Sequence, residues 1–445
     1  MNPTVDLKWY NFFVSCANTP STHYSITPTV NGPGLRFSPL PSWLRRILPL
    51  AAVAGIVLTS LVGFRDASRR LYDFAGYYAA SKIVATEDSL AHLYDDAWFK
   101  EKVARYGMAE PTIVMYVNPP TTALFTISLT WLPPFQAKLV WDAMSVCAVL
   151  LSWIILVRTL NVPYGTGYRS LLFLLLSGSL PFLRNLQLGQ AYVLIMLFFA
   201  LTFHSYIRKS PIVTGVSLAA LLLLKLYGWM FLILFAVQRR WKEFWWSMGF
   251  LVAGALASVS FFGVDTYRAQ IDRIAQIYGN YDTTSSALRS IVAPVSRVFF
   301  YHSEYNPGAV AHVPLVQVLI PLLLLVISLS YALTRARENS IIAFCSILIL
   351  SVLFTPLAAD HHYVLMALPM FAFLSSTYWR NLPKFQMIFY ALLTYLLLGW
   401  LPSLPPELLK GWASLLCYTR VYAAMILFLL LTRHAKRPIA PQIPG

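Results

Sequence analysis

The chain reads as an all-α polytopic membrane protein with about twelve transmembrane helices and a first outer loop that carries juxtamembrane helices. Three observations lead there. Residues of the set AVILMFWYC make up 58% of the 445 positions and only 12% are charged, against roughly 45–50% apolar and about 25% charged in soluble domains. Mean hydropathy is +0.62. Apolar runs long enough, or nearly so, to span a bilayer recur from Ile47 to Leu431 with cations gathered at alternate junctions.

The formal net charge of +16 follows from that architecture. Its Lys and Arg residues sit in twos and threes at the ends of apolar runs, without the interleaved stripe of a nucleic-acid surface, so no nucleic-acid partner is expected. Cys16, Cys147, Cys345 and Cys417 are far apart, and the last three lie inside apolar runs. Neither a disulfide framework nor a zinc site is signalled.

Residues 1–44 are polar and turn-rich, with no charged start, apolar stretch and cleavage site of a secretory signal. They are expected to form a cytoplasmic tail. Arg45 and Arg46 precede the uncharged run Ile47–Gly63, and basic residues beside a first helix keep that end inside. The loop that follows, 64–112, then faces out, and its seven cations balance eight acids. Val117–Leu132 is bracketed by prolines at 119–120 and 133–134, and its short apolar stretch suits a re-entrant or interfacial helix better than a crossing. The outer loop therefore runs over 64–134.

The further expected spans are Phe135–Val157, Tyr168–Leu183, Ala191–Ile207, Ile212–Leu224, Trp229–Val237, Phe244–Phe262, Val313–Leu333, Ile341–Leu357, Tyr363–Tyr378, Gln386–Leu401 and Ala413–Leu431. Alternation from an inside N-terminus puts Arg158 with Arg169, Arg208 with Lys209, Arg239 with Arg240 and Lys242, Arg335 with Arg337, and Arg380 with Lys384 on the inner face. The tail 436–445 falls inside as well, and only Glu243 and Glu338 oppose these cations. The second large outer loop, 263–312, has four basic and four acidic residues. This asymmetry is the positive-inside pattern. Residues 45–435 are accordingly expected to form one transmembrane domain, multi-pass in the plasma membrane, with both termini cytoplasmic.

With that topology, polar residues that interrupt the apolar runs converge on the outer face. They are Asp73 after the first span, Arg184, Asn185, Gln187 and Gln190 in one turn, Lys225 and Tyr227 in another, and Asp360, His361 and His362 in a third. Ionisable groups near membrane depth are costly and usually face a cavity or a partner. Each cluster has a plainer reading beside it. Asp73 also suits the N-cap of a helix from Phe74, Lys225 suits a snorkelling cation, and the aromatics Tyr72, Phe74, Tyr77 and Tyr78 suit either an interfacial belt or sugar-stacking faces. The adjacent histidines lack the i, i+4 spacing of a helical metal face. What stands out is the set.

The order of these elements resembles glycosyltransferase family 87, within the GT-C superfamily, which includes polyprenol-phosphate-mannose-dependent alpha-mannosyltransferases. The resemblance is carried by D-F-x-x-Y-Y-x-A at 73–80, L-Y-D at 93–95, N-P-P at 118–120, Gly189-Gln190, the run from Gly215 through Lys225 to Tyr227, R-R-W at 239–241 and D-H-H-Y at 360–363. Two departures are visible: Gly228 stands where a proline is usual, and Asn118 where an aromatic is usual.

The resemblance implies a GT-C-type fold and an inverting transfer of a hexose, expected to be mannose, from a polyprenyl-phosphate donor to a glycolipid or glycan acceptor on the extracytoplasmic side. It implies that Asp73 is the catalytic base; by their charge and hydrogen-bonding capacity, Lys225, Arg184 and the His361 or His362 imidazole are then expected to hold the donor phosphate. Tyr77, Tyr78, Asn185, Gln187, Gln190, Tyr227 and Asp360 are then the sugar- or acceptor-binding residues. Membrane lipids are the remaining expected partners. No cofactor and no metal are expected, the lipid-linked sugar acting as co-substrate. A transporter or flippase is the competing class, since many helices with polar residues near the midplane also describe one; the internal repeat that would favour it is not evident. A scaffold that binds a lipid-linked glycan without transferring it is the third. The discriminating feature is whether Asp73 and the His361–His362 pair meet in one cavity.

Overall fold

The computed structural model describes residues 42–433 apart from 87–89, 109–114, 116–117, 161–165, 279–283, 286, 305, 337–338, 376–383 and 402–409. The two expected cytoplasmic tails lie outside the described residues, except for 42–44. So do Arg337, Glu338 and Arg380 of the expected inner face. The described residues are predominantly helical, and among them no strand forms; the β pairing is limited to isolated bridges, Leu288 with Ala359 and His302 with Asn306.

Helix α1 is Ser42–Ala67. The first loop holds α2, Phe74–Thr86, and α3, Asp96–Arg105, followed by 3-10 turns at Pro120–Phe125 and Ile127–Leu129. Next come α4 (Pro134–Thr159), α5 (Thr166–Ser177), α6 (Leu180–Leu188), α7 (Tyr192–Ile207), α8 (Pro211–Lys225) and α9 (Trp229–Val237). The chain continues through α10 (Trp241–Phe262), α11 (Val264–Tyr278), α12 (Val292–Phe299), α13 (Pro314–Ala336) and α14 (Ser340–Leu353). A 3-10 segment, Asp360–Met366, leads into α15 (Ala367–Ser375), and α16 (Lys384–Leu398) and α17 (Thr419–Arg433) close the bundle.

Among the described residues, five helical segments are long and apolar enough to cross a membrane: Arg45–Ala67, Pro134–Thr159, Trp241–Phe262, Pro314–Arg335 and Gly411–Arg433. The pair α5 and α6, bent by 45°, makes a sixth if it counts as one. Four more apolar helices have only 10–17 residues. The expectation of about twelve crossings therefore rests on short and bent helices as well as long ones. The break in the expected run Tyr168–Leu183 has a local cause: Ser179 Oγ accepts from the Phe182 amide at 3.2 Å, and Pro181 sits in the first turn of α6, so a new helix starts there. The proline-bracketed segment after Asn118 forms two short 3-10 turns and no continuous helix.

Helix α14 is buried from Ile342 to Leu353, as befits a helix apolar on every side at the centre of a bundle. Helices α1 and α13 expose Leu50, Leu58 and Leu61, and Leu315, Val318 and Leu323. Contiguous apolar surface of this kind marks a lipid-facing flank. A second, smaller core forms where α2 and α3 pack on the start of α4 through Phe74, Phe99, Val103, Leu129 and Trp141. The hydroxyls of Thr121 and Thr122 donate to the carbonyls of Leu223 and Leu224, the latter at 2.7 Å. The first loop is thereby fastened to the end of α8, whose last carbonyls lack helical partners.

Candidate active site

Four chain breaks bring the polar groups together. Tyr72, in the left-handed region at φ 48°, turns the chain into α2 and presents Asp73 immediately before it. A non-glycine residue held there stores strain of the kind found at functional sites. Helix α6 ends at Gly189, φ 68°, and Gln190 follows. Helix α8 ends at Lys225, with Leu226 at φ 55° and Gly228 at φ 97°. Proline is locked near −65°, so the usual proline cannot occupy position 228 in this conformation. The fourth break is the 3-10 segment that carries His361 and His362.

A directed chain of hydrogen bonds joins three of these breaks. Lys225 Nζ donates to Tyr77 Oη at 2.7 Å and to Asn118 Oδ1 at 2.6 Å. Tyr77 donates to Gln190 Oε1 at 2.6 Å. Gln190 Nε2 donates to Asp73 Oδ2 at 2.7 Å. Burial lowers Lys225 to about 7, against the Asp73 charge, which raises it. In its ammonium form it has no acceptor, so the Tyr77 hydroxyl proton is left for the glutamine oxygen, and the amide nitrogen faces the carboxylate. Burial, reinforced by the Asp73 charge, raises the Tyr77 phenol well above its ordinary value, which keeps it a donor. The Lys225 ammonium also lies 5.0 Å from the Tyr77 ring centre and 5.2 Å from that of Tyr192, within cation–π range.

The histidines form a second group beside this chain. Their ring centres are 4.5 Å apart, and Tyr192 packs against His362 at 3.8 Å and His361 at 5.1 Å. The Ala359 amide donates to His362 Nδ1 at 3.0 Å, which leaves the proton of the neutral ring on Nε2. Burial, with Lys225 nearby, lowers His361 to about 3; burial, then His361 and Lys225, lowers His362 as well. Both imidazoles are neutral hydrogen-bonding groups near pH 7. Asn185 Nδ2 donates to the His361 carbonyl and to the Pro181 carbonyl, each at 2.8 Å, and so fastens the histidine turn to α6.

Asp73, Gln190, Lys225, Tyr227, His361 and His362 line one cavity of about 650 Å³, together with apolar side chains such as Leu226, Trp229 and Leu357. That size is within the range of small-ligand sites, and an apolar lining with a few convergent polar groups is their usual make-up. Among the described residues no group of three or more His, Cys, Asp or Glu side chains is placed to hold a metal ion.

A sequence model of glycosyltransferase family 87 matches residues 116–356, more than half of the chain. The chain belongs to glycosyltransferase family 87. Comparison with curated protein sequences finds no match. This member of family 87 is thus a membrane glycosyltransferase. The matched span contains Asn118, Asn185, Gln190, Lys225 and Tyr227, whereas Asp73 precedes it and His361 and His362 follow it.

Several residues that the sequence suggested for the site of this glycosyltransferase lie elsewhere. Arg184 is exposed and donates to Gln187 Oε1 at 3.0 Å, and neither lines the cavity. On α6 they fall on a face turned from the one that carries Asn185. Tyr78, one residue around α2 from Tyr77, points its hydroxyl to the Leu132 carbonyl at 2.8 Å. Asp360 is claimed by two arginines, Arg289 at 3.1 Å and Arg420 at 3.0 Å, and is absent from the lining. Tyr77 is buried and holds the polar chain, so it offers no open face for stacking. Asn185 acts on the histidine turn from behind.

Sequence reasoning passed over Asn118 as a binding residue, Tyr192, and the partners Arg289 and Arg420. Arg420 had a signal: a lone cation at the start of an apolar run, now 1% exposed and also bonded to the carbonyls of Leu397 at 2.5 Å and Gly399 at 2.8 Å. Lys138 and Asp142, four positions apart within α4, were a second legible pair. Tyr192 carried no signal, being one aromatic among many.

Proposed function

We propose that the protein transfers a hexose, mannose in the first instance, from a polyprenyl-phosphate donor to a glycolipid or glycan acceptor at the extracytoplasmic face, with inversion at the anomeric carbon. One observation carries this reading: Asp73, Lys225, His361 and His362 line the same cavity, bordered by apolar residues. In the proposed reaction the acceptor hydroxyl loses its proton to Asp73 as its oxygen forms the new bond to the anomeric carbon. The bond from that carbon to the phosphate oxygen breaks, and polyprenyl phosphate leaves with the electron pair. A single displacement converts a beta-linked donor into an alpha glycoside. A positioned base of this type contributes about 10²–10⁴-fold. The Lys225 ammonium and the neutral imidazoles supply charge and hydrogen bonds where the leaving phosphate gains charge. Arg184 is not required for that role from its exposed position.

The test uses membranes containing the protein, incubated with radiolabelled polyprenyl-phosphate mannose or, separately, a labelled nucleotide sugar. The expected result is transfer of label to a glycolipid or glycan from the lipid-linked donor alone. Transfer from the nucleotide sugar in membranes unable to make the lipid-linked one would overturn the donor assignment, and no consumption of any lipid-linked sugar would overturn the proposed reaction.

A further inference from the structure

Behind the Asp73–Gln190 bond lies an ion pair sealed from solvent. Lys138 and Asp142 of α4 are both 0% exposed, and Lys138 Nζ lies 2.6 Å and 2.5 Å from the two carboxylate oxygens. A buried pair of this sort commonly contributes little net stability, because desolvation offsets the attraction. Its contacts suggest another purpose. The same Nζ donates to the Leu186 carbonyl at 2.5 Å, and the intervening Trp141 donates from Nε1 to the Gly189 carbonyl at 3.0 Å. Both acceptors are among the last carbonyls of α6, where a cation is favoured by the helix dipole.

The grip is made where the turn after α6 approaches α2. A Cβ on Gly189 would lie 2.5 Å from Phe74 Cβ and 2.7 Å from Lys138 Cε, so the backbone itself fills the gap between α4 and the residue following Asp73. Trp141 also packs its ring against Phe74 at 6.0 Å and Tyr77 at 6.3 Å between centres. One turn of α4 therefore contacts the residue after the acid, the residue before its amide partner, and the tyrosine that orients that amide.

We propose that Lys138 and Trp141, with Asp142 neutralising the buried lysine, are positioning residues: they hold the end of α6 so that Gln190 reaches Asp73 and fixes the carboxylate in its reactive orientation. The proposal rests on Asp73 being the base. Two predictions separate it from simple stabilisation. Trp141→Phe keeps an aromatic ring but removes the pyrrole N–H and its bond to Gly189, and is expected to lower kcat about tenfold, as for loss of one oriented hydrogen bond. Donor KM stays near that of the unaltered protein; the melting temperature falls, because Trp141 is fully buried. A Trp141→Leu control lacks the same bond and packs less well, so its difference from Trp141→Phe gives the kcat change that instability alone produces. Replacing the pair together, Lys138→Met with Asp142→Leu, removes both charges and preserves volume, so stability is retained while kcat stays low.

The experiment measures kcat, donor KM and melting temperature with radiolabelled polyprenyl-phosphate mannose for W141F, W141L, K138M/D142L, Q190A and W141F/Q190A. The expected pattern is a kcat loss in each, with no further loss when W141F is added to Q190A, since both act on the same bond. A K138M/D142L variant that regains both stability and kcat would overturn the proposal, as would additive losses in W141F/Q190A. Should the pair variant fail to accumulate, W141F alone decides: unchanged kcat sinks the positioning role. The D73N variant is the separate control. If D73N is inactive while W141F and the pair variant are fully active, the positioning idea fails and the base stands; if D73N is active, the base assignment itself fails and the positioning role with it.

Discussion

Gln190 Nε2 lies 2.7 Å from Asp73 Oδ2, a bond between residues 117 positions apart. Because the Gln190 oxygen is already taken by Tyr77, and Tyr77 by Lys225, the donors run one way from an ammonium to a carboxylate. The amide cannot turn without losing both partners. Asp73 is thereby held in one orientation by the fold.

Tyr77→Phe removes the middle of this chain and keeps the ring. Loss of a buried hydrogen bond to a charged group costs roughly 1.5–3 kcal/mol, so transfer is expected to fall by about 10- to 100-fold in steady-state kinetics. The ring packing against Trp141 persists, so the fold is expected to survive by thermal unfolding in detergent.

Gly189→Ala places a side chain where φ is 68° and where Phe74 and Lys138 already stand. An L-residue at a strained left-handed position costs on the order of 1–3 kcal/mol, before the overlap is relieved. The variant is expected to melt earlier than the parent and to lose activity more than stability, because relief moves Gln190 away from Asp73. Equal melting and equal activity would contradict the close approach.

Arg420→Met strips a buried partner from Asp360 and leaves the carbonyls of Leu397 and Gly399 without their donor. Asp360 is 27% exposed and keeps Arg289, so the main cost is that of the buried carbonyls left without a donor, about 1–3 kcal/mol. The melting temperature is expected to drop clearly.

The histidine pair sets an acid dependence whose sign follows from burial. His361 in the folded protein takes a proton only near 3, whereas an unfolded histidine does so near 6.5. Below about pH 6.5 the unfolded chain therefore binds more protons, and stability falls by up to about 1.4 kcal/mol for each further pH unit on account of this residue. Stability is fully present above about pH 6.5. Melting temperatures measured from pH 7.5 to 4.5 are expected to decline on the acid side, and less steeply for His361→Asn.

The membrane character and most helix positions were legible because apolar length is a direct physical requirement of a bilayer. The bend at Gly178–Ser179 and the 3-10 form of Asp360–Met366 were not: the bend rests on a local Ser179 cap inside an otherwise continuous apolar run, and Asp360 is held by Arg289 and Arg420, distant in sequence. For the site, the pattern of interrupting polar residues pointed to Asp73, Gln190, Lys225, Tyr227, His361 and His362, all of which share the cavity. It could not tell Arg184 from Gln190, six positions apart on one turn. Their separation is decided by the left-handed Gly189 cap, which reverses the chain between them and turns only the latter toward α2.

The central claim is that Asp73 removes the acceptor proton, and one measurement meets it most directly. Transfer of radiolabel from polyprenyl-phosphate mannose is compared between membranes carrying the unaltered protein and membranes carrying equal amounts of Asp73→Asn. The asparagine keeps the size of the side chain and can still bond to Gln190 through its oxygen. A loss of at least about 10²-fold in kcat, the contribution of a positioned base, is expected, with donor binding retained. Equal transfer by the two proteins would contradict it.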